Sequence, residues 1–203
     1  MLRQKTEIEK TLRRFNVLAN QLLMANLHLY YFMRLDEAQT DYYSAFVKSH
    51  HFWEYTKRAH LQATILQLGK AFDKDRGSIQ MHRFLSEIPR SGLTENEEIL
   101  LQNDKLFCQE RSPDPLVAKL RHWRDNVAAH YNYRMTTPEG RAILADEKFP
   151  PYTELQQLID KGFEILERWA VFHKATPGFN KLPDDKDDYL FVLDAIQTKE
   201  QNS

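Results

Sequence analysis

The chain has 203 residues, 42% hydrophobic and 12% aromatic, with 28 Lys+Arg against 29 Asp+Glu and a formal net charge of -1. That length buries one sizeable core and demands no second domain, and the near-neutral balance excludes a global positive field for nucleic acid, so any RNA contact must be local. A single cysteine, Cys108, excludes an internal disulfide framework and reads as a small buried hydrophobe in a reducing compartment.

Ile8, Leu12, Phe15, Leu18, Leu22 and Leu29 recur at helical spacing and predict a long first helix ending near Leu35. The start, Met1 to Glu7, leads into an amphipathic segment and does not read as a signal peptide. The most apolar run, Met24 to Met33, falls well short of the roughly 20 residues a membrane span needs. A cytoplasmic protein with no membrane association is the expectation.

A second long helical region is expected from about Thr40 to Phe72. Its later half carries two apolar stripes, Phe52, Tyr55, Ala59, Ala63, Leu66 and Leu61, Ile65, Leu68, Phe72, which predicts a central helix. The aromatics Tyr30, Tyr31, Phe32, Tyr42, Tyr43, Phe52 and Trp53 can stack bases, but at helical spacing they read as core. Asp73 to Gly77 breaks the pattern as a polar loop.

Ser78 is placed to cap a short helix through Ile79, Met81, Phe84, Leu85 and Ile88, stopped by Pro89. Thr94 and Glu97 have capping-box spacing and open the next helix. Asp114-Pro115 starts another, with Asp as cap and Pro in the first turn, where its missing N–H costs nothing. Met135 to Pro151 reads as a connecting loop. Leu155, Leu158, Ile159, Leu166, Trp169 and Phe172 make a further long helix. After Thr176-Pro177-Gly178 an acidic tail carries a short docking helix over Tyr189 to Ile196, with the Asp184 to Asp188 run as its solvated cap. With 6 Gly, 8 Pro and no alternating β-branched runs, the fold class is all-α: an antiparallel helical bundle with long core helices and a short C-terminal helix. One domain spans 1–203, with the core over about 1–175 and an acidic extension over 176–203.

The helix after Pro115 holds the chemistry. Arg124 and His130 stand with five residues between them in Arg124-Asp125-Asn126-Val127-Ala128-Ala129-His130, followed by Tyr131. Arginine is a fixed cation that forks onto phosphate oxygens, and histidine exchanges a proton near neutrality. On a continuous α-helix the two lie about 120° apart around the axis and roughly 9 Å apart along it. They then occupy the shoulders of an apolar stripe, Leu116, Leu120, Trp123, Val127 and Tyr131. Such a seam faces either a core groove or a second copy of the helix, and a twofold axis would bring Arg124 of one subunit towards His130 of the other. Asn126 and Tyr133 stand one turn either side of His130. Arg121, His122 and Arg134, with Lys119, make a local phosphate-attracting patch or an ordinary helix surface. Asp125, four residues from Arg121, also suits a surface ion pair.

An arginine, a polar residue, a short spacer and a histidine resemble the motif of HEPN domains, helical bundles of prokaryotic defence and toxin systems. The region ending Leu68-Gly69-Lys70-Ala71-Phe72-Asp73-Lys74, followed by Ser78-Ile79 and a short helix, is similar to the abortive-infection subgroup with HEPN-like domains, over most of residues 1–175. The resemblance implies a HEPN-type bundle and a homodimeric, metal-independent endoribonuclease needing no cofactor. RNA is then its substrate, and an antitoxin protein a conceivable partner. It assigns Arg124 as the family arginine, Asp125 as the polar residue and His130 as the family histidine; Asn126, Tyr131 and Tyr133 are supporting candidates from their places on the helix near His130. The branch paired with nucleotidyltransferase antitoxins has a tyrosine two residues after the histidine; here that position is Asn132. Two other readings stay open. One is a non-catalytic interaction module of a defence system. The other is a metal-dependent bundle enzyme using His51 and Glu54, which share a helix face near His50, although no second Glu-x-x-His element faces them.

Overall fold

A computed structural model describes residues 2–72, 79–109, 112–125, 151–170, 172, 182 and 187–201. Among the described residues there are eight helices and no strand: α1 Leu2–Glu37, α2 Tyr43–Lys48, α3 His50–Phe72, α4 Met81–Ser86, α5 Glu95–Cys108, α6 Pro115–Trp123, α7 Tyr152–Ala170 and α8 Tyr189–Gln201. The all-α expectation holds.

α1 and α3 form the spine. Phe15, Leu18, Leu22, Ala25 and Leu29 alternate three and four residues apart, so they line one side of α1 and are buried there. Three polar contacts give the direction of α3: Lys57 Nζ meets Asp36 at 3.2 Å, His60 Nδ1 meets His28 Nδ1 at 3.0 Å, and Thr64 Oγ1 donates to the Ala25 carbonyl at 3.4 Å. Rising numbers on α3 meet falling numbers on α1, so the pair is antiparallel. α7 packs on the same spine with Leu155, Leu158, Ile159, Phe163, Leu166 and Trp169 buried. Gly162 allows its close approach, because a Cβ there would lie 2.8 Å from Leu22 Cδ1. Phe172, predicted to continue this stripe, is exposed just past the end of α7.

Two start signals are realised. Thr94 Oγ1 accepts from the Glu97 N–H at 3.3 Å while the Glu97 carboxylate accepts from the Thr94 N–H at 2.7 Å, a reciprocal capping box. Asp114 Oδ1 accepts from the Leu116 N–H at 2.8 Å, with Pro115 in the first turn of α6. The third is not: the residue at the start of α4 is Gln80, without a side-chain cap, and Ser78 lies outside the described residues. α4 also ends at Ser86, ahead of Pro89, because the residue before a proline already disfavours helix.

The region expected as one helix from Thr40 to Phe72 is two. The break at Ser49 lets Phe46 stack on Trp53 with ring centroids 4.9 Å apart, and Trp53 Nε1 donates to the Ala45 carbonyl at 3.1 Å near the end of α2. These residues join Leu35, Ala38 and Leu193 in a second, smaller core under α8. α8 is tethered by Tyr42 Oη, which donates to Asp194 at 2.7 Å, and by Tyr30 Oη, which donates to Asp187. Asp187 is therefore a hydrogen-bond acceptor for α1 and not merely a solvated charge.

The larger departure concerns α3. Leu61, Ile65, Leu68 and Phe72 are buried as expected, but Phe52 is 60% and Tyr55 66% exposed. Tyr43 also points outward. Periodicity identified two apolar stripes, and neighbouring helices cover only one of them.

The buried polar groups are paired across helices. Asp104 of α5 accepts from Trp169 Nε1 at 2.8 Å and from Arg168 at 2.6 Å, fixing α5 to α7. Cys108 is buried nearby, and burial pushes its thiol well above the ordinary range, which suits a packed hydrophobe rather than a nucleophile. Among the described residues no helix is long and apolar enough to cross a membrane.

Candidate active site

The site grows from the end of α6. Val117, Leu120 and Trp123 are buried in the main core, so up to Trp123 the apolar seam of this helix faces the chain's own interior. The regular helix ends at Trp123. Arg124 and Asp125 follow in a wider π-type turn, although the Arg124 N–H itself still bonds to the carbonyls of Leu120 and Arg121, as in the helix before it. Such insertions often mark functional positions. Residues 126–130, over which an α-helical wheel sets His130 about 120° from Arg124, lie outside the described residues.

Arg124 is strongly positioned. Its side chain is 15% exposed and lies across Gly69 of α3: a Cβ at residue 69 would sit 2.6 Å from Arg124 Cδ and 3.1 Å from Cγ. Only glycine lets the arginine stem cross α3 at this height. Arg124 Nε donates to Asp125 Oδ1 at 2.7 Å, and Nη2 approaches the same oxygen at 2.6 Å. The Asp125 side chain is 54% exposed, so the carboxylate stands at the solvent side of a guanidinium whose stem is packed. This is an anion-binding arrangement: an oxyanion at the position of Asp125 Oδ1 accepts two charge-assisted hydrogen bonds.

The surrounding residues divide by task. Arg121 Nη2 donates to the Phe72 carbonyl at 3.1 Å and the Gln109 carbonyl at 2.6 Å, at the C-terminal ends of α3 and α5, where carbonyls lack helical partners. The expected Arg121 and Asp125 pairing is replaced by the Arg124 and Asp125 pair. His122 is exposed one turn along. Lys119 reaches Glu154 of α7 at 2.7 Å. His130, with Asn126, Tyr131, Tyr133 and Arg134, lies outside the described residues.

His51 and Glu54, the alternative metal pair, sit at the start of α3. Glu54 is ion-paired to Lys57 at 3.0 Å, and that hydrogen bond lowers its carboxyl below the ordinary value. The His50 and His51 rings stand 5.6 Å apart, and among the described residues no three His, Cys, Asp or Glu side chains converge on a metal position.

Sequence reading missed two features. Gly69 was visible as a glycine inside an apolar helical pattern, which signals a close approach without saying what approaches. The contact of His28 with His60 had no sequence signal, since the residues are far apart in the chain and share no motif.

Comparison with curated proteins and with solved structures finds no match. The family description AbiU2, a HEPN family, matches residues 8–190, nearly the whole chain, from within α1 to the start of α8. The chain accordingly belongs to the AbiU2 family of HEPN domains and is a defence-related HEPN protein.

Proposed function

We propose that the protein is a metal-independent endoribonuclease of a phage-defence or toxin–antitoxin system. The observation that carries the reading is the packing of the Arg124 stem on Gly69, which holds a largely buried guanidinium in place with the exposed Asp125 carboxylate on its fork. A phosphate oxygen exchanging with the Asp125 carboxylate receives the same pair of donors.

In the proposed reaction the ribose 2′-oxygen attacks the adjacent phosphorus as His130 takes the hydroxyl proton. The bond from phosphorus to the 5′-oxygen breaks, and that oxygen gains a proton, leaving a cyclic phosphate and a 5′-hydroxyl. Charge builds on the non-bridging oxygens in the transition state, where the Arg124 guanidinium stabilises it. DNA lacks the attacking hydroxyl and is not cleaved. Asp125 acts as the exchangeable counter-ion of Arg124. Asn126, Tyr131 and Tyr133 support His130, and His122 and Arg134 attract the strand. The functional unit is a homodimer in which Arg124 of one subunit serves His130 of the other.

The test is cleavage of single-stranded RNA and tRNA in chelator by the parent protein and by Arg124→Ala and His130→Ala. The parent cuts, and each variant loses about 100-fold or more. Mixing the two variants restores activity, since one of the two composite sites in a mixed dimer is intact. A parent indistinguishable from His130→Ala leaves a non-catalytic interaction module, and activity abolished by the chelator leaves a metal enzyme.

A further inference from the structure

α3 holds one carboxylate, Glu54, along its whole length from His50 to Phe72. On an α-helix His51, Phe52, Tyr55, Arg58, Gln62 and Lys70 fall within about 120° of arc, and Glu54 lies outside it. Along this arc Phe52, Tyr55, Arg58 and Lys70 are exposed, while Leu61, Ile65 and Leu68, on the adjoining side of the helix, lie in the core. The nearby acids are turned elsewhere, for Glu54 and Asp36 both pair with Lys57 on the far side of the helix. The result is a lengthwise stripe in which two exposed aromatic faces, Phe52 and Tyr55, are followed by two exposed cations, Arg58 and Lys70, with no carboxylate inside the arc.

The stripe points at Arg124. Gly69 lies within the same arc, and Arg124 crosses α3 there. Tyr55 is 14 residues before Gly69, roughly 21 Å along the axis, a span of several nucleotides. A second copy of the chain answers the cations poorly, because the same arc of a partner α3 carries no acid to pair with Arg58 and Lys70. A flexible polyanion with stackable rings answers both features, as bases stack on aromatic side chains and phosphates meet the cations.

We propose that the outward face of α3, from Phe52 and Tyr55 through Arg58 to Lys70, binds single-stranded RNA and leads it to Arg124. The inference rests on the ribonuclease reading for the class of its ligand. It adds to that reading a binding surface remote from the bond that breaks, which sets a minimum length for the RNA.

The experiment measures binding of a single-stranded RNA of about 12 nucleotides by fluorescence anisotropy, in a His130→Ala background that separates binding from cleavage. Phe52→Ala/Tyr55→Ala weakens binding about 10-fold or more, with its urea midpoint unchanged because both side chains are exposed. Arg58→Ala reduces the slope of log affinity against log salt by about 0.7. A dinucleotide, too short to reach Tyr55 from Arg124, binds both forms equally. Affinity for the longer RNA that is the same in both forms, or absent from both, overturns the proposal. A shift from dimer to monomer in the double variant at unchanged affinity also overturns it and assigns the face to a second copy. The binding assay decides the α3 surface even if the parent protein cleaves no RNA, and cleavage at unchanged affinity condemns the surface while sparing the nuclease.

Discussion

Gly69 and Arg124 are in contact across two helices, and a methyl group on residue 69 would come within 2.6 Å of the arginine Cδ. Gly69→Ala therefore displaces the Arg124 side chain while changing no charge and no candidate catalytic atom. The helix itself gains, since alanine is the better helix former by about 1 kcal/mol. RNA cleavage is expected to fall about 10-fold or more through mispositioning. Folding stability shifts by no more than about 2 kcal/mol, the helical gain offsetting part of the overpacking. Single-turnover cleavage beside urea unfolding checks this, and full activity would show that Arg124 need not lie across α3.

Asp104 is the buried acid of the bundle, accepting from Trp169 Nε1 and from Arg168. Asp104→Ala leaves a buried indole N–H without its acceptor and Arg168 without a carboxylate. The expected loss is about 3 kcal/mol in urea unfolding. A change under about 1 kcal/mol would mean that water replaces the carboxylate at little cost.

His28 and His60 meet at Nδ1, so one ring donates and the other accepts, and the accepting ring must be neutral for the bond to form. Burial lowers the pKa of each, and for His60 the neighbouring His28 adds to the effect. The unfolded rings take up protons near pH 6.5 while the folded rings resist, so the unfolded state binds more protons below that pH. Stability is full above about pH 6.5 and falls as pH drops towards the depressed folded values. His82, lowered by burial as well, contributes in the same direction. Urea midpoints at pH 7.5 and 5.5 test the sign, and a His28→Gln/His60→Gln variant should flatten the dependence in part. A midpoint that rises on acidification would contradict the neutral pair.

Thr94 and Glu97 cap α5 reciprocally at its exposed start. Thr94→Ala should cost about 1 kcal/mol, whereas Phe52→Ala, at an exposed position, should change stability by less than about 0.5 kcal/mol. Equal losses at the two sites would place Phe52 in a core that the fold does not give it.

Local signals specified local structure. The seam of α1, the Thr94 box and the Asp114-Pro115 start each act through residues within a few positions of one another, so the sequence predicted them and the chain forms them. The Arg124 motif was legible for the same reason, as a short pattern of chemically distinctive side chains. Its partner His130 lies outside the described residues, so the pairing rests on that motif and on the functional proposal.

Packing settled what periodicity left open. Phe52 and Leu61 belong to stripes equally apolar in sequence, yet only the second is covered, because α1 runs antiparallel along one side of α3. Ser49 breaks a helix that propensity would continue, because Phe46 and Trp53 stack only if it does. Gly69 became the crossing point of the Arg124 side chain once the end of α6 carried it over α3. A sequence states which side chains each helix presents along its length. The tertiary structure decides which of those faces meet another helix and which remain open to a ligand, since burial depends on contacts between segments far apart in the chain.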